Sequence, residues 1–135
     1  MSTITAQLSR PASGRRFAPV AAASLIAVAV VHLIDGPGSL SDVTYVGVLE
    51  LALAAVTVPL AVMLLIRPVR ALRELAGGVT LVALLAYVAS RTVGLPASTD
   101  DIGNWVQTLG IVNVAVELLL LGAVAGGLHG WRGRR

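Results

Sequence analysis

Four long apolar runs alternate with short polar segments along this chain. The runs cover residues 17–34, 43–66, 75–95 and 105–128. Even the shortest would span about 27 Å as a helix, close to the thickness of a bilayer's hydrocarbon core. Helices satisfy every backbone group in lipid, and the alternating segments of about ten residues typical of barrel strands are missing. The pattern therefore predicts four transmembrane helices.

The connections between the runs predict an all-α, up-down-up-down four-helix bundle. D-G-P-G-S at 35–39 is predicted to be a turn, and Pro68 and Pro96 are predicted to end the second and third helices. Short connections make consecutive helices antiparallel neighbours. We expect one membrane domain at 17–128, between a disordered tail at 1–16 and a basic tail at 129–135.

The arginines predict how the bundle is oriented. Nine of the ten arginines precede the first run, separate the second and third runs, or follow the fourth. The positive-inside rule then predicts N-in/C-in topology in the plasma membrane, with both tails cytoplasmic. A cleaved signal peptide is the alternative, because Arg15-Arg16-Phe17 precedes an apolar stretch. It is disfavoured because no small-x-small cleavage site follows that stretch.

Composition supports the membrane assignment and excludes several chemistries. Only 13% of the residues are charged, against about 25% in soluble domains, which disfavours a soluble enzyme. Without cysteine the chain has no disulfide, thiolate nucleophile or Cys-ligated metal. The net charge of +3 arises from arginines that flank apolar runs, which indicates orientation and contact with membrane lipids rather than nucleic-acid binding. No cofactor is predicted.

Each predicted helix carries small and polar residues at helical spacing, and such residues face the interior of bundles in lipid. By helix, these stripes are Ser24, Val28, His32 and Asp35; Gly47, Glu50, Ala54, Thr57 and Ala61; Gly77, Thr80, Leu84, Tyr87 and Arg91; and Gly110, Asn113 and Glu117. The strongly polar members fall in the outer half of the membrane, while the cytoplasmic half is expected to be apolar. We therefore predict an outward-facing polar pocket built from His32, Glu50, Tyr87, Arg91, Asn113 and Glu117.

The charged members of this pocket allow four interpretations. Arg91 could form a structural ion pair with Glu50 or Glu117, or those carboxylates could hold it to bind an anion or lipid headgroup. His32, Glu50 and Glu117 could ligate zinc, manganese or iron, although no HxxxH or ExxH pair supports a metal. The two glutamates could also titrate as a proton site, because an unpaired charge in a span is costly. No catalytic residue is predicted.

Two further features concern partners and anchoring. Gly122 and Gly126 form a G-x-x-x-G pair that permits close helix contact, so they are candidates for a homo-oligomer interface. Trp105 and Trp131 bracket the fourth run as interfacial anchors.

The stretch S-R-T-V-G-L-P at 90–96 resembles one that follows the third span in a group of small four-span actinobacterial membrane proteins. In that group a His closes the first span, an aromatic-x-Gly and a polar residue open the second, and an acidic residue lies in the fourth. His32, Tyr45, Gly47, Glu50 and Glu117 match these positions. The resemblance covers roughly 32–121 and implies organisation rather than an activity. The topology is more distantly similar to DoxX-like four-helix membrane proteins.

These features favour a non-enzymatic protein with an accessory, binding or sensing role in the cell envelope. The alternatives are an oligomeric small-molecule or proton-coupled transporter and a metal-dependent membrane enzyme. A transport path would need an oligomer, because four short helices enclose little space.

Overall fold

A computed structural model describes residues 12–132, with side chains described from 15 to 129, and these residues form four α-helices. The helices are α1 (Ala12–Asp42), α2 (Thr44–Ile66), α3 (Arg70–Thr92) and α4 (Thr108–Arg132). Each contains a segment long and apolar enough to cross a membrane. The predicted four-helix membrane bundle is confirmed. Most of the predicted N-terminal tail, the last three residues and the Trp131 side chain lie outside what the structure describes.

Helix α1 is longer than predicted at both ends, and the turn predicted at 35–39 is wrong. The helix continues through Pro37 to Asp42, and Val43 alone interrupts it with an extended φ of −139°. Close packing on α2 explains this result. A Cβ at Gly36 would lie 2.9 Å from Leu51 Cδ2, and one at Gly47 would lie 2.6 Å from Leu40 Cα. The glycines thus let the two backbones approach each other. This packing outweighs the local preference of residues 35–39 for a turn.

Helix α3 ends close to the predicted position. Gly94 adopts φ +78°, and its N–H donates to the carbonyl of Ala89. This geometry is a common helix C-terminus and suits glycine, which has no Cβ to strain. Helix α4 begins at Thr108 rather than at residue 105, because residues 101–106 form turns instead.

The basic end of the bundle holds the N-terminus of α1 and the connection at 67–69, and the acidic end holds the α1–α2 and α3–α4 connections. Around the bundle the helices follow the order α2, α1, α4, α3, and of the four neighbouring pairs α2 and α3 contact each other least. The main core is a cluster of small and aliphatic side chains towards the basic end. It comprises Ala21, Ala22, Leu25, Leu60, Ala61, Leu64, Ala76, Leu120, Ala123 and Val124.

The predicted stripes face inwards, because every one of their residues is buried or half-buried.

Arg73 is an exception to the expectation of an apolar cytoplasmic half. It lies in α3 rather than in a loop, it is only 3% exposed, and a Cβ at Gly127 would lie 3.3 Å from its Cδ. Gly127 thus leaves room for the stem of Arg73 between α3 and α4.

A lateral cleft with a polar end

A cleft of about 1020 Å³ lies between α2 and α3. Its apolar walls come from both helices and comprise Leu49, Leu53, Val56, Leu75, Val79 and Val82. Leu49 is 63% exposed and Val82 67% exposed although both line the cleft. The cleft therefore opens sideways between the two helices, where the surroundings of a membrane bundle are lipid.

The acidic end of the cleft is polar. Five of the six residues predicted to form a pocket line it together: His32, Glu50, Tyr87, Arg91 and Asn113. They come from all four helices, as the inward-facing stripes require.

Arg91 is held by the connection between α3 and α4. Its Nη1 lies 2.6 Å from Asp101 Oδ2, and its Nη2 donates to Gln107 Oε1 at 2.6 Å. Of the interpretations that the sequence left open, the ion pair of Arg91 with Glu50 or Glu117 is therefore not the one found, because Arg91 pairs with Asp101. The sequence interpretation missed Asp101 and Gln107, although a signal was present, because Asp101 lies on the same predicted side of the membrane as Arg91.

The ring of Tyr87 lies beside Arg91 and is itself in contact with Trp105. The Cζ of Arg91 lies 4.9 Å from the centroid of the Tyr87 ring, within range of a cation–π interaction. The Tyr87 ring meets that of Trp105 edge to face at 6.3 Å. A Cβ at Gly110 would lie 2.6 Å from Tyr87 Oη. Gly110 thus makes room for the ring that covers the guanidinium.

Further hydrogen bonds join residues 93–107 to α2 and α3 at the acidic end. Tyr45 Oη donates to the carbonyl of Pro96 at 2.7 Å, and the Gly103 N–H donates to the carbonyl of Arg91 at 2.8 Å. Pro96 and Ala97 form the tip of a turn, with Ala97 at φ +57°. The connection therefore contacts both α2 and α3, and several of its residues line the cleft at this end.

Five buried polar atoms that belong to cleft residues have no hydrogen-bond partner among residues 15–129. They are His32 Nε2, Glu50 Oε2, Asn113 Oδ1, and Nε and Nη1 of Arg91, although Nη1 takes part in the ion pair with Asp101. Asn113 is only 5% exposed. A buried polar atom without a partner costs about 1–3 kcal/mol, so this end of the cleft offers hydrogen-bonding capacity that the described side chains do not use.

Glu117 is fully buried, but it does not line the cleft. Neither carboxyl oxygen has a hydrogen-bond partner within the described part of the chain, although Asn113 one turn earlier is near enough to interact with the group. Among the described residues, no three His, Asp or Glu side chains are grouped to hold a metal ion. The described side chains therefore do not support the interpretation of His32, Glu50 and Glu117 as a metal site.

The two glycines of the predicted oligomer interface have different surroundings. A Cβ at Gly126 would lie 3.1 Å from Phe17 Cζ within the same bundle, whereas one at Gly122 would meet nothing within 4 Å. Association through this pair stays a prediction.

Comparison with protein-family models, curated proteins and solved structures finds no match to this chain. The resemblance to small four-span actinobacterial proteins stays a prediction as well.

Proposed function

We propose that this protein binds an amphipathic molecule of the membrane in the cleft between α2 and α3. The observation that carries the proposal is the division of the cleft into a polar end and a long apolar part that is open to the side. A binding role without catalysis agrees with the function expected from the sequence.

The shape of the cleft suits a ligand with a head group and an acyl or alkyl chain. On α3 the lining extends from Arg91 to Glu74, about 25 Å at a rise of about 1.5 Å per residue. A chain could lie against the apolar walls while the head group reaches the unpartnered atoms of Glu50 and Asn113. Such contacts would offset the cost of leaving those atoms without hydrogen bonds.

The distribution of the arginines along the chain supports a proposal for which side of the membrane this site faces. We propose that the acidic end faces the outside of the plasma membrane and that both termini are cytoplasmic. The natural chain has no cysteine, so single-cysteine variants can test this directly in intact cells. A membrane-impermeant maleimide should label Val106→Cys, which is 82% exposed in the native chain, and should not label Ala71→Cys at the basic end. The opposite labelling pattern would overturn the orientation.

Filling the cleft tests the binding proposal. A Cβ at Gly78 would meet nothing within 4 Å, and Gly78 lines the cleft, so Gly78→Leu should occupy ligand space without a backbone clash. Gly122→Leu is the matched control, because its position is equally open but lies outside the cleft. Native mass spectrometry after mild extraction should find an amphiphile on the wild type and on Gly122→Leu, and much less on Gly78→Leu. Equal occupancy in all three proteins would contradict the proposal.

A carrier is the second candidate function, and the length of the cleft favours it. The lining reaches from the acidic end to Glu74 near the basic end, so a ligand could be passed along it. Reconstituted protein should then speed the movement of a fluorescent amphiphile between bilayer leaflets, and Gly78→Leu should slow it. A rate equal to that of protein-free vesicles would restrict the function to binding.

A further inference from the structure

The acidic side chains of this chain are concentrated around the cleft. The sequence contains seven Asp and Glu residues, and six of them line the cleft, with Glu117 as the exception. Among the described residues, Arg91 is the one arginine in the lining. A cleft with this balance of charges attracts cations and repels anions.

The described ion pairs neutralise only part of this negative charge. Glu74 pairs with Arg70 at 2.7 Å near the basic end, and Asp101 pairs with Arg91 at 2.6 Å. Neither pair involves the four other carboxyl groups that line the cleft, and all four lie at its acidic end. These are Asp35, Asp42, Glu50 and Asp100. The carboxyl group of Glu50 is near enough to Asp35 and Asp101 for their charges to interact.

Two of the unpartnered atoms at this end, one of Asn113 and one of Glu50, point to the same kind of ligand. Asn113 is 95% buried, lines the cleft and has no hydrogen-bond partner for Oδ1 within residues 15–129. Glu50 Oε2 is likewise buried and unpartnered. A carboxylate oxygen and an amide oxygen are acceptors, so both require a donor. Arg91 also has an unpartnered donor, Nε, but the ion pair with Asp101 already offsets its positive charge, so it adds little attraction for an anion.

Taking the proposed binding function as given, we infer that the cleft selects amphiphiles with a protonated amine head group. Such an amine carries the positive charge that the carboxyl groups favour and donates hydrogen bonds to Glu50 and Asn113. Its alkyl chain lies along the walls formed by α2 and α3. An anionic head group of the same size meets uncompensated negative charge at the same place.

The test compares three probes that share a tail and differ in the head group: dodecylamine, dodecanol and dodecyl phosphate. Each carries a bromine on the chain next to the head group, so that a bound probe brings the bromine close to Trp105 at the acidic end. Each probe is titrated into protein in nanodiscs whose lipids have no net charge. The protein carries Trp131→Phe, so that Trp105 is the single tryptophan and reports through quenching from its position beside Tyr87, a cleft residue. Empty nanodiscs give the partitioning of each probe into lipid, which is subtracted.

Dodecylamine should bind at least about tenfold more tightly than dodecyl phosphate, with dodecanol between them. Glu50→Gln should reduce amine affinity by roughly tenfold and leave dodecanol affinity nearly unchanged. Glu117→Gln is the matched control, because it makes the same substitution outside the cleft and should bind all three probes like the parent protein. Asp35→Asn is a second cleft variant in case Glu50→Gln fails to fold, and it should weaken the amine in the same direction.

The outcomes separate the inference from the function on which it rests. Equal binding of the three probes, or tighter binding of the phosphate, would overturn amine selection and leave amphiphile binding in place. Unchanged amine affinity in folded Glu50→Gln and Asp35→Asn would also overturn it. Failure of every probe to bind would overturn both proposals.

Discussion

Replacing Gly47 by alanine should destabilise the bundle, because the α1–α2 hairpin has no room for a methyl group there. The added Cβ would lie 2.6 Å from Leu40 Cα, whereas carbon atoms in contact normally stay about 3.5–4.0 Å apart. The obstacle includes the backbone of α1, so no rotamer change relieves it. The two helices must separate by about 1 Å at their closest approach.

The expected cost follows from two opposing effects. Overpacking of this kind costs about 1–3 kcal/mol, and a backbone obstacle belongs in the upper part of that range. Alanine also gains up to about 1 kcal/mol over glycine inside a helix. We therefore expect the free energy of unfolding to fall by about 2 kcal/mol.

Gly122→Ala is the matched control for this prediction, because a Cβ there meets nothing within 4 Å. It should leave stability unchanged or raise it by up to about 1 kcal/mol. Both variants can be unfolded with sodium dodecyl sulfate in mixed micelles, with loss of structure followed by circular dichroism and Trp fluorescence. If Gly47→Ala proved as stable as Gly122→Ala, the close approach of α1 and α2 would be refuted.

Three other substitutions test the acidic end and the buried acid. Asp101→Asn should lower the free energy of unfolding by about 1 kcal/mol, because Asp101 is partly exposed but its partner Arg91 is buried. Amide exchange within 93–107 should then become faster, and unchanged exchange would contradict the ion pair. Glu117→Gln should leave the bundle at least as stable as the wild type, because it removes an ionisable group whose oxygens have no described hydrogen-bond partner. Loss of the fold on detergent extraction would contradict this expectation of unchanged stability. Gly110→Ala should displace the Tyr87 ring and change the emission of the nearby tryptophan, whereas an unaltered spectrum would contradict the packing around Arg91.

The stripes could be predicted from the sequence because they depend only on helical spacing and on the preference of lipid for apolar side chains. Ser24, Thr57, Thr80 and Asn113 are all buried in the bundle, as their periodic positions indicate. In a soluble protein the same polar residues could face water instead, so a polar stripe would not show which side of a helix is buried.

The turn predicted at 35–39 was wrong because local preference and tertiary packing disagree there. D-G-P-G-S is a strong turn sequence by itself. The positions that decide the outcome, Leu51 and Gly47, lie on the next helix. Close approach of two backbones cannot be recognised from the propensities of either segment alone.

The partner of Arg91 and the cleft could not be obtained from periodicity. Helical spacing places Arg91, Glu50 and Glu117 towards a common interior, but the pairing depends on the path of 93–107, which brings Asp101 to the guanidinium. The cleft depends on how far α2 and α3 lie apart. A stripe shows which side of a helix faces inwards and carries no information on that distance.

Photo-crosslinking with a diazirine-bearing alkyl amphiphile tests occupation of the cleft most directly. In wild-type protein in bilayers, crosslinks should concentrate on the cleft walls at Val56 and Val82, and an excess of unlabelled amphiphile should compete them away. Leu118 and Leu119 on α4 are exposed but lie outside the cleft, so labelling there should be weak and should not saturate. Labelling of equal intensity at both pairs, insensitive to the competitor, would show ordinary lipid contact and contradict a binding site between α2 and α3.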